Sequence, residues 1–412
     1  MRLVEKHIIK KYSEFYSECD KLCFDSKNLY NYSNYLIRQE FIQTSKDKQA
    51  GLVDHANYLN YYAINRILID NKQFDFYSLP CKVSNQTLMM LDKNWKSFFG
   101  LCKLYSKNKT NGIIDKPNLP NYLHKTNGRF VVTYTIDAIS KVGLRNGFVE
   151  LSKTNIKIKT DKQNIKQVRI VPKLNRYVIE IIYEQKEKEL LSDNGRYCSI
   201  DLGLNNLATV GSNVIKPIII NGKPLKSINQ YYNKQLASLK SRLEIKEKRK
   251  TSNGLRKLTN KRNNKIEDYL HKASRYIINH LVSNNINTLV IGNNKEWKQE
   301  INIGKKNNQN FVNIPHARFI QMLSYKAKLL GINIILTEES YTSKCSFLDN
   351  EKLCKHDEYY GKRIKRGLFR SKNNILINAD LNGSLNILRK VVGNFNYDSI
   401  EACSAPVVLT IK

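Results

Sequence analysis

The chain has 412 residues, long enough for two or three domains that each bury a core. Lysine and arginine outnumber aspartate and glutamate by 69 to 36, and a net charge of +33 favours a polyanionic partner, nucleic acid before a membrane surface. No apolar run is long enough to span a bilayer, residues 1–11 lack the apolar core of a signal peptide, and the eight cysteines form no CxxC pair, so a soluble intracellular protein without a disulfide framework is expected.

Residues 1–10 read as a lone strand, with Leu3, Val4, Ile8 and Ile9 set among basic residues. From Tyr12 the period changes. Phe15, Tyr16, Cys19, Leu22 and Cys23 recur at helical spacing, and Leu29, Tyr32, Tyr35 and Leu36 continue it. Further helices are expected over 57–70 and about 84–104, the second carrying Trp95, Phe98 and Phe99 between Lys93, Lys96 and Lys103. That aromatic stripe reads as core, and the lysines are the better candidates for phosphate contact. The helical signal stops at Lys116-Pro117-Asn118-Leu119-Pro120, and strands follow at 129–134, 148–151, 168–171 and 177–183, with Asn146-Gly147 as a turn. The expectation is a small β-barrel or sandwich completed by the first strand, with the helical region inserted into it. The charged stretch 186–193 reads as a linker.

From about residue 194 the order is strand (197–201), strand (206–211), strand (214–220), long helices (227–283), strand (288–291), helix (315–330), strand (332–337), an irregular segment and helix (378–392). A three-strand meander followed by alternating helix and strand is the RNase H order, in which the sheet runs 3-2-1-4-5 with helices on its faces.

Two carboxylates stand where that order brings them together. Asp201 closes the apolar run Cys198-Ser199-Ile200 before the turn Gly203-Leu204-Asn205, and Asp380 opens the last helix beside the small residues Gly383 and Ser384. Small residues there let the helix approach the sheet closely. A carboxylate pair from a strand end and a helix can hold divalent ions that activate water and stabilise a leaving oxygen in phosphodiester hydrolysis. Mg²⁺ suits oxygen-only ligands. Taken singly, Asp201 also fits a turn and Asp380 a helix cap. A third carboxylate is expected at the end of the fourth strand, where Gly292 stands instead, and Glu296 lies too far past the strand to replace it. The fifth strand ends Leu336-Thr337-Glu338-Glu339-Ser340-Tyr341-Thr342-Ser343-Lys344. Neighbouring strands lie about 5 Å apart, so a glutamate from strand five can reach the end of strand four. Side chains alternate, so only one of Glu338 and Glu339 points inward.

The segments Asp201-Leu202-Gly203-Leu204-Asn205-Asn206-Leu207-Ala208-Thr209 and Asn378-Ala379-Asp380-Leu381-Asn382-Gly383-Ser384-Leu385-Asn386-Ile387 resemble the first and third RuvC motifs of TnpB-like proteins, transposon-encoded RNA-guided nucleases related to type V CRISPR effectors. The likeness extends to 227–234, 269–274, 291–299 and 338–344, and is specific over 194–390. Glycine in place of the strand-four glutamate, with a glutamate before Thr342-Ser343-Lys344, resembles the Fanzor branch of eukaryotes and giant viruses and a subset of prokaryotic TnpB proteins. The resemblance implies Asp201, Glu339 and Asp380 as catalytic ligands of two Mg²⁺ ions, with Asp201 bridging and Glu338 the alternative to Glu339. It implies a multidomain α+β chain: a wedge-like β-barrel (1–10 and 118–192) interrupted by a helical recognition lobe (11–117), then a RuvC-like nuclease domain (193–412) with a basic helical insertion (about 227–283) and a zinc-ribbon-equivalent or lid segment (about 341–372). The implied partners are a guide RNA of the omega type and target DNA beside a short flanking motif, with a monomer as the active unit. The implied compartment is the nucleus for a eukaryotic or giant-viral protein and the cytoplasm for a prokaryotic one.

Relatives with a zinc ribbon carry two CxxC pairs between the second and third motifs. Here the segment offers Cys345, Cys354 and His356, short of the four ligands structural zinc takes, so zinc is not expected. Basic side chains expected to meet phosphates are Lys248, Arg249, Lys257, Arg262, Lys272, Lys298, Lys344, Arg363 and Arg366, each adding to a steep salt dependence. The run 246–250 also resembles a nuclear-localisation cluster. Two other functions fit the same motifs: a DNA transposase of this fold, and a nuclease-dead RNA-guided DNA binder.

Overall fold

The amino-terminal strand β1 (Arg2–Lys10) is paired along its whole length. It runs antiparallel to β6 (Arg176–Glu184), from Arg2 opposite Glu184 to Lys10 opposite Arg176. The structure, a computed structural model, describes residues 1–107, 115–248, 251–294, 314–395 and 404–411, and divides into the units Met1–Gln185 and Lys186–Lys412.

In the first unit four helices follow β1: α1 (Tyr16–Gln49), α2 (Tyr61–Asp70), α3 (Phe74–Tyr77) and α4 (Cys81–Lys107). The Asn60 side chain accepts from the Tyr62 and Ala63 amides, both at 3.0 Å, and this cap starts α2 later than periodicity alone suggests. The aromatic stripe of α4 is core. Trp95 is fully buried against Phe41 and Phe99, its indole N–H donating to Asn34 Oδ1 at 3.0 Å. Lys96 pairs with Asp92 at 2.7 Å within the same helix.

The strands β2 (Val132–Thr135), β5 (Ile165–Lys173) and β6 continue the sheet in the order β1-β6-β5-β2. A short helix α5 (Lys141–Arg145) and the hairpin β3 (Phe148–Glu150) and β4 (Lys157–Lys159) lie between β2 and β5. Among the described residues this is an open sheet with β1 and β2 at its edges, plus a separate hairpin, and not the closed barrel expected. β2 is only four residues long and its chain turns at once into a 3-10 turn, so β2 offers little edge for closure. Helices and sheet share one core, and a polar knot ties them. Asp20 of α1 accepts two bonds at 2.9 Å from the Arg129 guanidinium and one from the Tyr177 hydroxyl. Arg129, ahead of the Tyr177 bond, holds the Asp20 carboxyl below its usual range.

The second unit is built on a six-stranded sheet. β7 (Tyr197–Leu202), β8 (Asn206–Ser212) and β9 (Ile218–Asn221) form the antiparallel meander. Helices α6 (Lys223–Glu247) and α7 (Asn253–Ser283) come next, then β10 (Thr288–Gly292), α8 (His316–Lys328) and β11 (Asn333–Thr337). The order is β11-β10-β7-β8-β9 with one further strand beyond β9, and β10 is parallel to both β7 and β11. β9 starts four residues later than periodicity suggests because Pro217, just before it, has no N–H for the ladder. The last strand, β15 (Val407–Leu409), lies parallel to β9 and has no counterpart in the sequence reading.

The segment read as irregular contains a three-stranded sheet, β12 (Lys362–Lys365), β13 (Leu368–Arg370) and β14 (Leu376–Asn378). All four β12 side chains are exposed, so no alternation of apolar and polar residues marked it. Gly367 at φ +82° makes its turn. The charged stretch before β7 is tied down in part, with the Leu191 amide donating to the Gly331 carbonyl at 2.8 Å.

The sheet has two different faces. Cys198, Ile200 and Leu202 of β7 and Leu289 and Ile291 of β10 pack with α7 and α8. The alternate residues, Ser199, Asp201, Val290 and Gly292, face α9 (Ala379–Val392). There the contact is close. Ser199 Oγ donates to the Ser384 carbonyl at 2.6 Å, and the Gly211 amide donates to Ser384 Oγ at 3.0 Å. A Cβ on Gly211 would sit 3.0 Å from Ser384 Oγ and 3.1 Å from Leu385 Cδ2. Gly211→Val should therefore overpack this seam and destabilise the second unit by about 1–3 kcal/mol, read as a lowered urea midpoint.

Candidate active site

The strand register sets the site. β10 pairs with β7 so that Ile291 is level with Ile200, which puts Gly292 level with Asp201 in the next strand. β11 pairs with β10 so that Thr337 is level with Gly292. Glu339, two residues further, lies with its carboxylate against Gly292 on the α9 face, while Glu338 is exposed and reaches Lys390 near the end of α9. A Cβ on Gly292 would overlap Glu339 Oε1 and come within 2.7 Å of Glu339 Cγ and Ile387 Cδ1. The glutamate from strand five thus fills the space that a strand-four side chain would need.

The two glutamates are clearly separated. Glu338 is exposed and pairs with Lys390 at 2.9 Å, which lowers its pKa from the usual value. Glu339 is half-buried and its pKa is raised to about 7, first by burial and then by the charge of Glu338. Its carboxylate accepts from Asn294 Nδ2 at 3.1 Å, and its amide donates to Asn294 Oδ1 at 2.9 Å. Thr342 closes the turn, its amide and hydroxyl donating to the Glu339 carbonyl at 3.2 and 2.9 Å. Tyr341 takes φ +65° within it.

Asp201 has no hydrogen-bond donor on its carboxylate among the described residues. Its pKa is raised well above the usual value, first by burial, then by the charges of Glu339 and Asp380, with Arg363 opposing. The absence of a side chain at Gly383 makes room for it, since a Cβ there would lie 3.0 Å from Asp201 Oδ2. Asp380 does not cap its helix. Asn378 does, accepting from the Asp380 and Leu381 amides at 3.0 and 3.2 Å. The Asp380 carboxylate instead accepts from Asn206 Nδ2 at 2.7 Å and pairs with Arg363 at 3.2 Å.

Asp201 lies close enough to Glu339 and Asp380 for both charges to act on it, and carboxylate oxygens are the ligand type that a hard divalent cation takes. They do not form a ready shell: Asp380 is drawn to Arg363 and Asn206, and Glu339 to Asn294. Among the described residues no three His, Cys, Asp or Glu side chains are arranged to hold a metal.

The other expected basic residues fall into four groups. Lys248, at the left-handed end of α6, and Lys257, Lys344 and Arg366 are exposed, as is Arg363 beside Asp380. Lys272 pairs with Asp268 at 2.9 Å. Arg262 is turned inward: its guanidinium donates to Asn229 and Asn263 at 2.8 and 2.9 Å and lies over Tyr232, so it braces α6 against α7. Arg249 and Lys298 lie outside the described residues, as does Glu296. Cys345, Cys354 and His356 gather on one loop, where His356 Nε2 and Cys345 Sγ lie 2.7 and 3.3 Å from the Lys352 carbonyl and Cys354 Sγ is 3.4 Å from His356 Nε2.

Sequence reasoning assigned no role to Asn206, Asn294, Asn382 or Asn386. The two asparagines of α9 clamp the turn that follows Glu339. Asn386 Nδ2 donates to the carbonyls of Thr342 and Cys345 at 2.8 and 2.7 Å, and Asn382 joins Cys345 and Phe347 at 2.9 Å each. Helix α9 therefore both carries Asp380 and holds the loop of Glu339. The only sequence signal was polar residues at core spacing in an otherwise apolar helix. Asn386→Ala should leave the Thr342 carbonyl without its side-chain donor and the Cys345 carbonyl with Asn382 alone, and cost about 1–3 kcal/mol in urea unfolding, whereas an exposed control such as Lys257→Ala should cost less than about 0.5 kcal/mol.

Comparison with known proteins bears on the same segments. Residues 180–298 match a family described as a probable transposase, OrfB_IS605, and residues 316–387 match the Cas12f1-like TNB domain. The TnpB-like protein ORF457 of Acidianus two-tailed virus is 23% identical over 413 aligned residues, covering 89% of this chain and 82% of that protein. The CRISPR-associated endodeoxyribonuclease Cas12f2 of a Micrarchaeota archaeon (strain CG1_02_47_40) is 28% identical over 236 residues, 53% of this chain and 41% of the relative's length. Among solved structures, a Cas12f1–sgRNA–target DNA complex aligns over 93% of this chain and 98% of that one at 16% identity and a TM-score of 0.36. Over these segments the chain is similar to TnpB-like and Cas12f-like proteins.

Proposed function

We propose that the chain is an RNA-guided DNA endonuclease of a transposable element, cutting with a RuvC-like site made of Asp201, Glu339 and Asp380. The observation that carries this reading is the exchange at Gly292: the place of a strand-four side chain is taken by the Glu339 carboxylate, on the same face and level as Asp201. Such an exchange keeps a three-carboxylate site, which a binder without chemistry has no need to keep. The similarity to a TnpB-like protein and to an endodeoxyribonuclease supports the same class.

Divalent ions, Mg²⁺ in this reading, supply the water activation and leaving-group stabilisation of phosphodiester hydrolysis. Asp201, Glu339 and Asp380 would hold them. Asn294 orients the Glu339 carboxylate and Asn206 that of Asp380, so each of these two keeps one oxygen directed by an amide. Arg363 brings positive charge beside Asp380, where a substrate phosphate would enter. In the proposed complex base pairing with a guide RNA reads the target, and the protein reads backbone and a short flanking motif. The Gly292 and Glu339 pattern is the reason for preferring the Fanzor branch, with an omega-type RNA, a monomeric unit and nuclear action if the host is eukaryotic.

One finding favours a second reading. The family over 180–298 is described as a probable transposase, and a transposase of this fold would join strands as well as cut them. A strand-transfer assay separates the two.

The first test is to purify the chain from cells that express its own locus and sequence the RNA that accompanies it. A discrete RNA with a constant structured part and a variable end is expected, and a mixture of host RNA lost at moderate salt would overturn guided recognition. With that RNA in hand, Asp201→Ala and Glu339→Gln should abolish target cleavage while RNA binding persists, and Glu338→Gln should cut normally. Gly292→Ala should also fail to cut, because its methyl group displaces the Glu339 carboxylate. Retained cleavage by Asp201→Ala, or by both Glu339→Gln and Gly292→Ala, would sink the site.

A further inference from the structure

Between α6 and α7 lies a cavity of about 320 Å³, away from the three carboxylates. Part of its wall is fixed. Arg262 is tied to the buried Asn229 and lies 5.6 Å over the Tyr232 ring, and the Tyr232 hydroxyl meets Thr259 Oγ1 at 3.1 Å. The rest of the wall is uncommitted. Tyr231 is 62% exposed and has no ring partner among the described residues. Lys261 and Lys265 stand one turn apart on α7, both exposed and without a carboxylate partner among the described residues. The sequence adds to the field, since neither 223–243 nor 253–266 contains an aspartate or glutamate.

A free aromatic face beside two unopposed ammonium groups, on a braced frame, is the chemistry that receives an unpaired nucleotide: the ring stacks on the base and the lysines meet phosphates. A duplex keeps its base faces covered and offers only edges and phosphates, so it could use the lysines but not the ring. We propose that this groove is a subsite for a single-stranded stretch of nucleic acid, with one base stacked on Tyr231 and the adjoining phosphates held by Lys261 and Lys265. The subsite rests on the nucleic-acid reading above and names which strand state unit two holds outside its cutting centre.

The test uses the full chain in EDTA, with a short fluorescent strand as DNA, the same strand as RNA, and a duplex of that sequence. Tyr231→Leu should weaken binding of the single strand by roughly 5- to 100-fold and leave the duplex unchanged, while Tyr231→Trp keeps the affinity. Whichever single strand loses more identifies the polymer. Replacing Lys261 and Lys265 by Gln together should flatten the salt dependence of single-strand binding by about 1.4 in log–log slope. Wild-type affinity in Tyr231→Leu, equal losses on strand and duplex, or displacement of the strand by polyglutamate as readily as by unlabelled strand would overturn the proposal. Cleavage with Mg²⁺ is scored separately. A chain that binds through Tyr231 but never cuts removes the nuclease reading alone, and a chain that cuts while Tyr231→Leu binds normally removes the subsite alone.

Discussion

The second unit depends on how closely α9 lies on β7 and β8. That approach is possible because Gly211, Gly383 and Ser384 carry little or no side chain at the seam, and because Ser384 bonds to both strands. The approach sets Asp380 and Asp201 on one side of the sheet and raises the energy of charging Asp201. It also lets Asn382 and Asn386 reach the loop behind Glu339. A larger residue at the seam would disturb all three carboxylates together.

The site is a compromise between repulsion and order. Three carboxylates are kept near one another with few compensating charges, and burial disfavours ionising two of them. Such an arrangement costs folding free energy and is stable only if surrounding bonds over-determine it. Here those bonds are amides: Asn294 on Glu339, Asn206 on Asp380, and the two asparagines of α9 on the adjoining turn. Arg363 is the cation whose charge opposes the raised pKa of Asp201, and it is carried by β12, whose side chains all face solvent.

Much of this was legible in the chain. Strands that bury one or both faces, such as β7 and β10, show apolar runs that end in a distinct residue, so the placement of Asp201 and the oddity of Gly292 can be read directly. Helix α9 announces itself by its cap and by small residues at one spacing. What failed to show had weak local signals. β12 is exposed throughout, β15 pairs with a strand nearly two hundred residues earlier, and the barrel expected in the first unit is an open sheet because closure depends on strand length and pairing, not on pattern.

The sequence by itself determined the order of the strands and helices that bury an apolar face, the excess of positive charge, and which residue types were available for chemistry, because these follow from local periodicity and composition. Only the tertiary structure decided between Glu338 and Glu339. The two are adjacent and chemically identical, and what separates them is the register of β11 on β10, the absence of a side chain at Gly292, and Lys390 near the end of α9, which pairs with Glu338. Those are relations between segments far apart in the chain, set by packing, and no window of sequence contains them.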